Sequence, residues 1–372
     1  MDRILPQQCM ESKFIGYWKK SETEIKELWK NAYFTFDTNS LLNLYRYSQS
    51  TRTDLIDLIS KLDRRVFLTN QVAFEFSKNR LETINAIITY NREFLKEIEK
   101  IKDNVISFNA SPFLSHNLTE KLAEIIAEIN KEVNENIKLY DKYFSSDILY
   151  ELLNLVFKDK VLNGFEKDEL NRIEKEGETR YSKKIPPGYS DSKKESNKFG
   201  DLIIWKEMIE FSKSKNAPII FVTEDNKEDW IWKLKDGKTI GARPELIQEF
   251  LKETNNNFHI YKSHRFIEIG SKFFNEQVNN ETLEEITKVN SELCLSGYFE
   301  YLKTLENNDL EEKLKILTPR EADLLRLNLG SNNRNPLNLK EISETFDISL
   351  ERAITIRSQA VRKLRNSHTH TI

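Results

Sequence analysis

The stretch Tyr33-Phe34-Thr35-Phe36-Asp37-Thr38-Asn39-Ser40-Leu41-Leu42 constrains this chain most. Four apolar or β-branched residues run straight into an aspartate. Small polar residues follow, and then the apolar start of a helix. This order predicts a buried strand whose carboxyl end holds Asp37 at the mouth of the next turn. In an open parallel sheet, ligands bind beyond the carboxyl ends of the strands. An aspartate there also serves as a helix cap. Its meaning depends on whether other carboxylates occupy equivalent places.

They do. Val66-Phe67-Leu68-Thr69 predicts a second short strand, with Asn70 as the N-cap of a helix that carries Glu75 in its first turns. Phe199-Gly200-Asp201 opens a helix through Trp205 and Met208, and residues 218–222 predict a buried strand ending at Thr223-Glu224-Asp225. Asp229 follows four residues later. Strands are also predicted at 258–261, with helices at 243–254 and 264–274. Strand alternating with helix means an α/β fold whose sheet is mainly parallel. Residues 81–175 are highly charged, with apolar stripes at helical spacing (Ile87, Ile88, Phe94, Leu95, Ile98, Ile101; then Leu122, Ile125, Ile126, Ile129, Val133), and Ser111-Pro112 separates them. Two or three long helices in a hairpin, with a shorter one near 148–157, fit that pattern.

Carboxylates at adjacent strand ends, about 4.8 Å apart, repel unless a cation neutralises them. Mg²⁺ or Mn²⁺ takes oxygen ligands and suits phosphate substrates. Asp37, Glu75, Asp201 and Asp225 are therefore the candidate metal-holding, catalytic set, and Glu224 beside Asp225 leaves open which of the two faces the metal. No nucleophile–base pair competes with them. The five histidines are scattered, and Cys9 and Cys294 are too few for a thiolate site or a disulfide framework.

Three motifs resemble the signatures of PIN-domain nucleases, closest to the bacterial PIN-like branch with a helical insertion. They are Phe36-Asp37-Thr38-Asn39-Ser40-Leu41-Leu42, Gly200-Asp201-Leu202-Ile203-Ile204-Trp205, and Phe221-Val222-Thr223-Glu224-Asp225 with Asp229-Trp230. The segments Ile185-Pro186-Pro187-Gly188-Tyr189 and Gly241-Ala242-Arg243-Pro244-Glu245-Leu246 resemble the same branch. The resemblance covers about 30–275. It implies a three-layer parallel sheet flanked by helices and a divalent-metal site cutting RNA or single-stranded nucleic acid. By position, Asp37, Glu75, Asp201 and Asp225 match the metal-holding acids, and Asn39, Thr223 and Asp229 match supporting positions. The mixed basic and aromatic stretch at 180–194, with Arg180, Lys183 and Lys184, suits phosphate contact and stacking on a single strand. Arg80, one turn past Glu75, is a further candidate of that kind.

Residues 317–366 read as a helix-turn-helix. Leu317-Thr318-Pro319-Arg320-Glu321, Leu339-Lys340-Glu341-Ile342, Phe346-Asp347-Ile348 and Ala360-Val361-Arg362-Lys363-Leu364-Arg365 resemble region 4 of bacterial sigma factors. At the base-reading positions of that family this chain has Leu350, Ile354 and Thr355. Leu and Ile form no bidentate hydrogen bonds with base edges. Arg357, Arg362, Lys363 and Arg365 keep the means to hold phosphates. Apolar Leu350 and Ile354 would suit a protein partner or a second copy of the chain.

The sequence thus predicts an N-terminal helical segment at 1–30 and a PIN-like nuclease domain at 31–275 with its insertion at about 81–175. A helical connector at 276–316 and the small all-α domain at 317–366 follow. Net charge is −3, so any nucleic-acid surface is local. The N-terminus shows no signal-peptide core and no apolar run approaches membrane length, which together with cysteine usage predicts a cytoplasmic protein. A toxin or phage-defence role is the analogy that such nucleases suggest. The alternative is a DNA- or RNA-polymerase-binding regulator with a non-catalytic PIN-like scaffold.

Overall fold

The computed structural model describes residues 10, 14–106, 115–234, 238–277, 279–331, 335–348, 352, 353, 356, 357, 359–361, 363 and 364. The described elements begin with α1 (Glu22–Asn31), β1 (Tyr33–Phe36), α2 (Thr38–Leu42), α3 (Gln49–Lys61), α4 (Asn70–Ile106), α5 (His116–Lys142), α6 (Ile148–Val156) and α7 (Lys167–Ser182). They continue with α8 (Gly200–Lys215), β2 (Ile219–Val222), β3 (Ile231–Lys233), β4 (Thr239–Ala242), α9 (Pro244–Thr254), β5 (Phe258–Tyr261) and α10 (Ser263–Phe273). The last are α11 (Asn280–Lys303), α12 (Asn307–Leu314), α13 (Pro319–Leu329) and α14 (Leu339–Thr345). The fold is mixed α/β, 66% helical, with a small parallel sheet. It divides into two compact units, Tyr33–Phe165 and Met1–Ala32 with Glu166–Ile372.

In the unit Tyr33–Phe165, β1 is buried at Phe34, Thr35 and Phe36 and runs into α2. The expected strand at 66–69 makes two single parallel bridges instead of a ladder, Phe34 with Val66 and Leu68 with Val161. Thr69, rather than Asn70, caps the helix that follows: its Oγ1 accepts from Val72 N at 3.3 Å. That helix, α4, is a single rod of 37 residues, about 55 Å long at 1.5 Å per residue. It packs along α5 as the expected hairpin. The Ser111-Pro112 break lies outside the described residues.

In the other unit, β2 and β5 pair in parallel, Ile219 opposite Phe258 through Val222 opposite Tyr261. All four residues of β2 are buried. α8, β2, α9 and β5 enclose an aromatic core in which Trp205 meets Phe258, Phe250 and Trp230 at centroid distances of 4.9, 5.5 and 6.0 Å. The sequence reading had no hairpin at β3–β4, which is antiparallel and irregular after Trp232. α1 is set by a capping box between Ser21 and Glu24 and buries Trp29, which stacks on Phe266 and donates to Tyr261 Oη at 3.3 Å. The expected polar N-terminal segment is thus anchored on β5 and α10.

The C-terminal helices build their own core. Thr318 and Glu321 form a capping box, Pro319 opens α13, and Gly330 closes it in the left-handed region (φ 75°). Leu302, Leu310 and Leu314 pack with Leu317, Ala322, Leu325, Ala360, Val361 and Leu364. The end of the expected connector therefore supplies part of this core.

Candidate active site

The candidate acids occur as two local arrangements, one in each unit. In Tyr33–Phe165, Asp37 follows β1 directly and is 8% exposed. It occupies the N-cap position of α2, yet its carboxylate makes no capping hydrogen bond. Its neighbour Thr38, buried, donates from Oγ1 to Glu75 Oε2 at 2.8 Å. Gln71, one turn earlier on α4, donates to Glu75 Oε1 at 2.8 Å. Both oxygens of Glu75 are thereby aimed, and the first acidic segment is tied to the second. Asn39, one of the expected supporting residues, is exposed.

In the other unit, Asp201 stands in the first turn of α8 and Asp225 just past β2. Thr223, fully buried, extends the β2–β5 ladder by donating its N–H to Tyr261 O at 2.9 Å. Its Oγ1 accepts from Asp225 N at 2.9 Å, which sets the turn. Lys227 N then donates to Asp225 Oδ1 at 2.7 Å. Glu224 Oε1 accepts from Ser263 N, the first residue of α10, at 2.7 Å. Of the two adjacent acids, Glu224 is thus engaged at the start of α10 and Asp225 lies beside Lys227.

The acids around Asp201 include one the sequence reading passed over. Asp191 ends a short turn after Pro186-Pro187-Gly188, and Lys227 Nζ lies 2.8 Å from Asp191 Oδ2, 3.2 Å from Asp201 Oδ2 and 3.1 Å from Asp225 Oδ2. Lys194 reaches the same Asp191 oxygen at 2.6 Å. Gly188 makes this approach possible. It sits at φ +92°, and a Cβ there would meet Tyr181 Oη at 2.2 Å and Asp201 Cβ at 3.2 Å. Asp229 holds the turn from below, its Oδ2 accepting from Gly188 N at 3.0 Å and Ser190 N at 2.9 Å. Asp229 is fully buried and its Oδ1 has no hydrogen-bond partner.

Burial and like charge raise proton affinity here. Burial, with Asp225, Asp191 and Asp229 adding to it and Lys227 opposing, pushes the Asp201 carboxyl up to about 7. Burial also raises Asp229, against the hydrogen bond from Ser190 N. Lys227 loses by burial, but Asp201, Asp225 and Asp191 overcome this and hold it firmly protonated. The signals for the missed residues were short: Asp191 three positions after Gly188, and Lys227 two after Asp225.

Two cations expected to contact phosphate are committed elsewhere. Arg80 Nη1 donates to Asp147 Oδ2 at 2.7 Å and its guanidinium lies 4.6 Å over the Tyr150 ring. Asp147 also accepts from Tyr45 Oη and caps α6 through Tyr150 N, so Arg80 fastens a helix start. Arg180 lies in α7, buried, and grips Glu249 through Nη1–Oε1 at 2.6 Å and Nη2–Oε2 at 2.7 Å. It also donates to Pro186 O, holding the start of the Gly188 turn. Lys183 and Lys184 are exposed where that loop begins. In the C-terminal domain, Lys363 pairs with Glu321 at 2.7 Å and Arg357 lies 5.3 Å over the Phe299 ring. Arg362, Arg365, Leu350, Ile354 and Thr355 lie outside the described residues.

Residues 33–246 match the family model described as "PIN like domain", and residues 314–366 match "Sigma-70, region 4". Over 73 residues the chain is 40% identical to the RNA polymerase sigma factor SigA1 of Synechococcus elongatus and to SigA of Microcystis aeruginosa, 20% of this chain and 18% of each relative. It is 41% identical over 56 residues to the sigma factor RpoD of Neisseria gonorrhoeae, 15% of this chain and 9% of that one. The chain therefore spans less than a fifth of the length of these curated relatives. No solved structure matches.

Proposed function

Since this chain belongs to the PIN-like domain family, whose members are usually nucleases, and carries a sigma-70 region 4 domain, we propose that it is a divalent-cation-dependent nuclease acting on RNA or single-stranded DNA. The supporting observation is the convergence of Asp191, Asp201 and Asp225 on one positive charge, Lys227 Nζ, at 2.8 to 3.2 Å. These are oxygen donors only, as Mg²⁺ and Mn²⁺ prefer. The orphan Oδ1 of buried Asp229 marks the same neighbourhood as rich in unspent negative charge. Among the described residues no three histidines, cysteines or acids are grouped as a ready metal site; Asp37, Glu75, Asp201 and Asp225 carry the oxygen donors a hard divalent cation takes, and we assign them to hold it. Asp37 and Glu75 join the set on the family match and on their own local geometry.

When bound, such a cation activates water and stabilises the leaving oxygen of a phosphodiester. The chain's own residues supply position. Thr38 and Gln71 orient Glu75, while Thr223 and Lys227 N orient Asp225. Burial raises the proton affinity of Asp201, and Lys227 beside it opposes the repulsion among the acids. Lys183 and Lys184 are assigned to the phosphates of the substrate strand. For the region 4 domain we infer contact with duplex DNA or with a protein partner. Among the described residues no helix is long and apolar enough to cross a membrane.

The test is cleavage of end-labelled single-stranded RNA and DNA. Hydrolysis is expected to need Mg²⁺ or Mn²⁺ and to stop in EDTA. Asp37→Asn and Asp201→Asn should each lower the rate by about 100-fold or more, the scale of losing one charge contact to the transition state. Undiminished cleavage by both variants would refute the assignment.

A further inference from the structure

The cation held by these carboxylates in the structure is the chain's own. Lys227 Nζ contacts the Oδ2 atoms of Asp191, Asp201 and Asp225, and those three side chains are 11%, 18% and 12% exposed against 31% for the lysine. The lysine is thus the most exposed side chain of the four. Asp225 has already given its other oxygen, Oδ1, to Lys227 N. The Asp225 oxygen that does not bond the Lys227 backbone is the one the ammonium holds. A protonated lysine has three donors and no acceptor, so it cannot join a metal's ligand shell. A divalent ion and an ammonium on the same oxygens would repel at close range in a site partly shielded from water.

Resting on the nuclease reading above, we propose that Lys227 is a tethered counter-cation that a divalent ion must displace from Asp201 and Asp225. The geometry allows the exchange. The lysine N–H donates to Asp225 Oδ1 at 2.7 Å, while its charge is carried at the end of a flexible four-carbon stem. Asp191 keeps a counter-ion during the exchange, because Lys194 Nζ lies 2.6 Å from it. The device lets the acids be packed together before metal arrives without their full repulsion. It also sets a threshold: metal binds only after outcompeting a cation whose local concentration never falls.

The experiment is competitive acetylation of lysines on the full chain with and without Mn²⁺, read by mass spectrometry, beside a calorimetric Mn²⁺ titration of the wild type and Lys227→Met. Free amines acetylate and ion-paired ammonium groups do so slowly. Lys227 acetylation is expected to rise severalfold when Mn²⁺ binds, relative to Lys213, which is paired with Glu210 and Glu253. Asp201→Asn should abolish the Mn²⁺-dependent rise. Lys227→Met should bind Mn²⁺ about tenfold tighter, since a competing charge is gone. If Mn²⁺ binds and Lys227 becomes no more reactive, the displacement is overturned and the metal site stands. If neither protein binds Mn²⁺, the metal site falls and the displacement with it. The labelling arm uses the wild-type chain, so it decides the matter even if the variant does not fold.

Discussion

Arg180 offers the sharpest test of the packing around the candidate site, because sequence and structure give it opposite roles. In a basic stretch it reads as a phosphate contact. In the fold its side chain is 8% exposed and forms a two-point bridge to Glu249, which is 24% exposed. Arg180→Met keeps most of the apolar stem and removes the charge. Breaking a buried pair by deleting one partner costs about 3–5 kcal/mol, because the other charge is left without compensation. Two features place this case at the lower end. Trp205 Nε1 still donates to Glu249 Oε2 at 3.2 Å, and the partial exposure of Glu249 admits water. The expected loss is about 3 kcal/mol, or roughly 6–12 °C at 2–4 °C per kcal/mol for a unit of this size. Urea unfolding followed by tryptophan fluorescence measures it, with Trp205 at the perturbed position. Adding Glu249→Gln should recover much of the loss, because a neutral pair carries no stranded charge. An Arg180→Met protein of unchanged stability whose affinity for single-stranded nucleic acid falls would refute the reasoning and restore the phosphate role.

Two further outcomes follow from the charges. Asp201 has its folded pKa raised to about 7 from 3.8, so its contribution to stability is present below about pH 4 and is lost as pH rises through about 7; in the metal-free chain Asp201→Asn should therefore gain on the wild type over that window in pH-dependent thermal melts, and a constant difference would contradict it. The full chain should bind duplex DNA weakly, equally for promoter-containing and scrambled sequences and less at higher salt, because Leu350 and Ile354 cannot read base edges; salt-resistant selectivity in fluorescence anisotropy would count against this.

What was legible in the sequence was what neighbouring residues decide. The run of Phe34-Thr35-Phe36 into Asp37 set a buried strand and the position of its acid. Thr318-Pro319 with Glu321 set a helix start, and the buried run 219–222 set β2 with Asp225 beyond it. Those features depend on side-chain period, capping and φ, all local properties. The order of acids, the α/β character and the C-terminal helical domain followed from them.

Which charges hold the protein together was decided only by tertiary packing. Arg80 meets its carboxylate 67 residues away and Arg180 meets Glu249 69 residues away. Lys227 is joined to Asp191 and Asp201 across 36 and 26 residues. Within the local sequence a cation beside turn formers looks the same whether it stands in water or grips a distant acid. Thr38 and Glu224 make the same point at shorter range: both lie beside an acid of the set, but only the approach of Glu75 and of Ser263 N determines what each does. A charge in water costs little to leave unpaired, and a buried one must find a partner wherever the fold brings it. That requirement is a property of position in space, and so it was set by the structure and not by the order of residues.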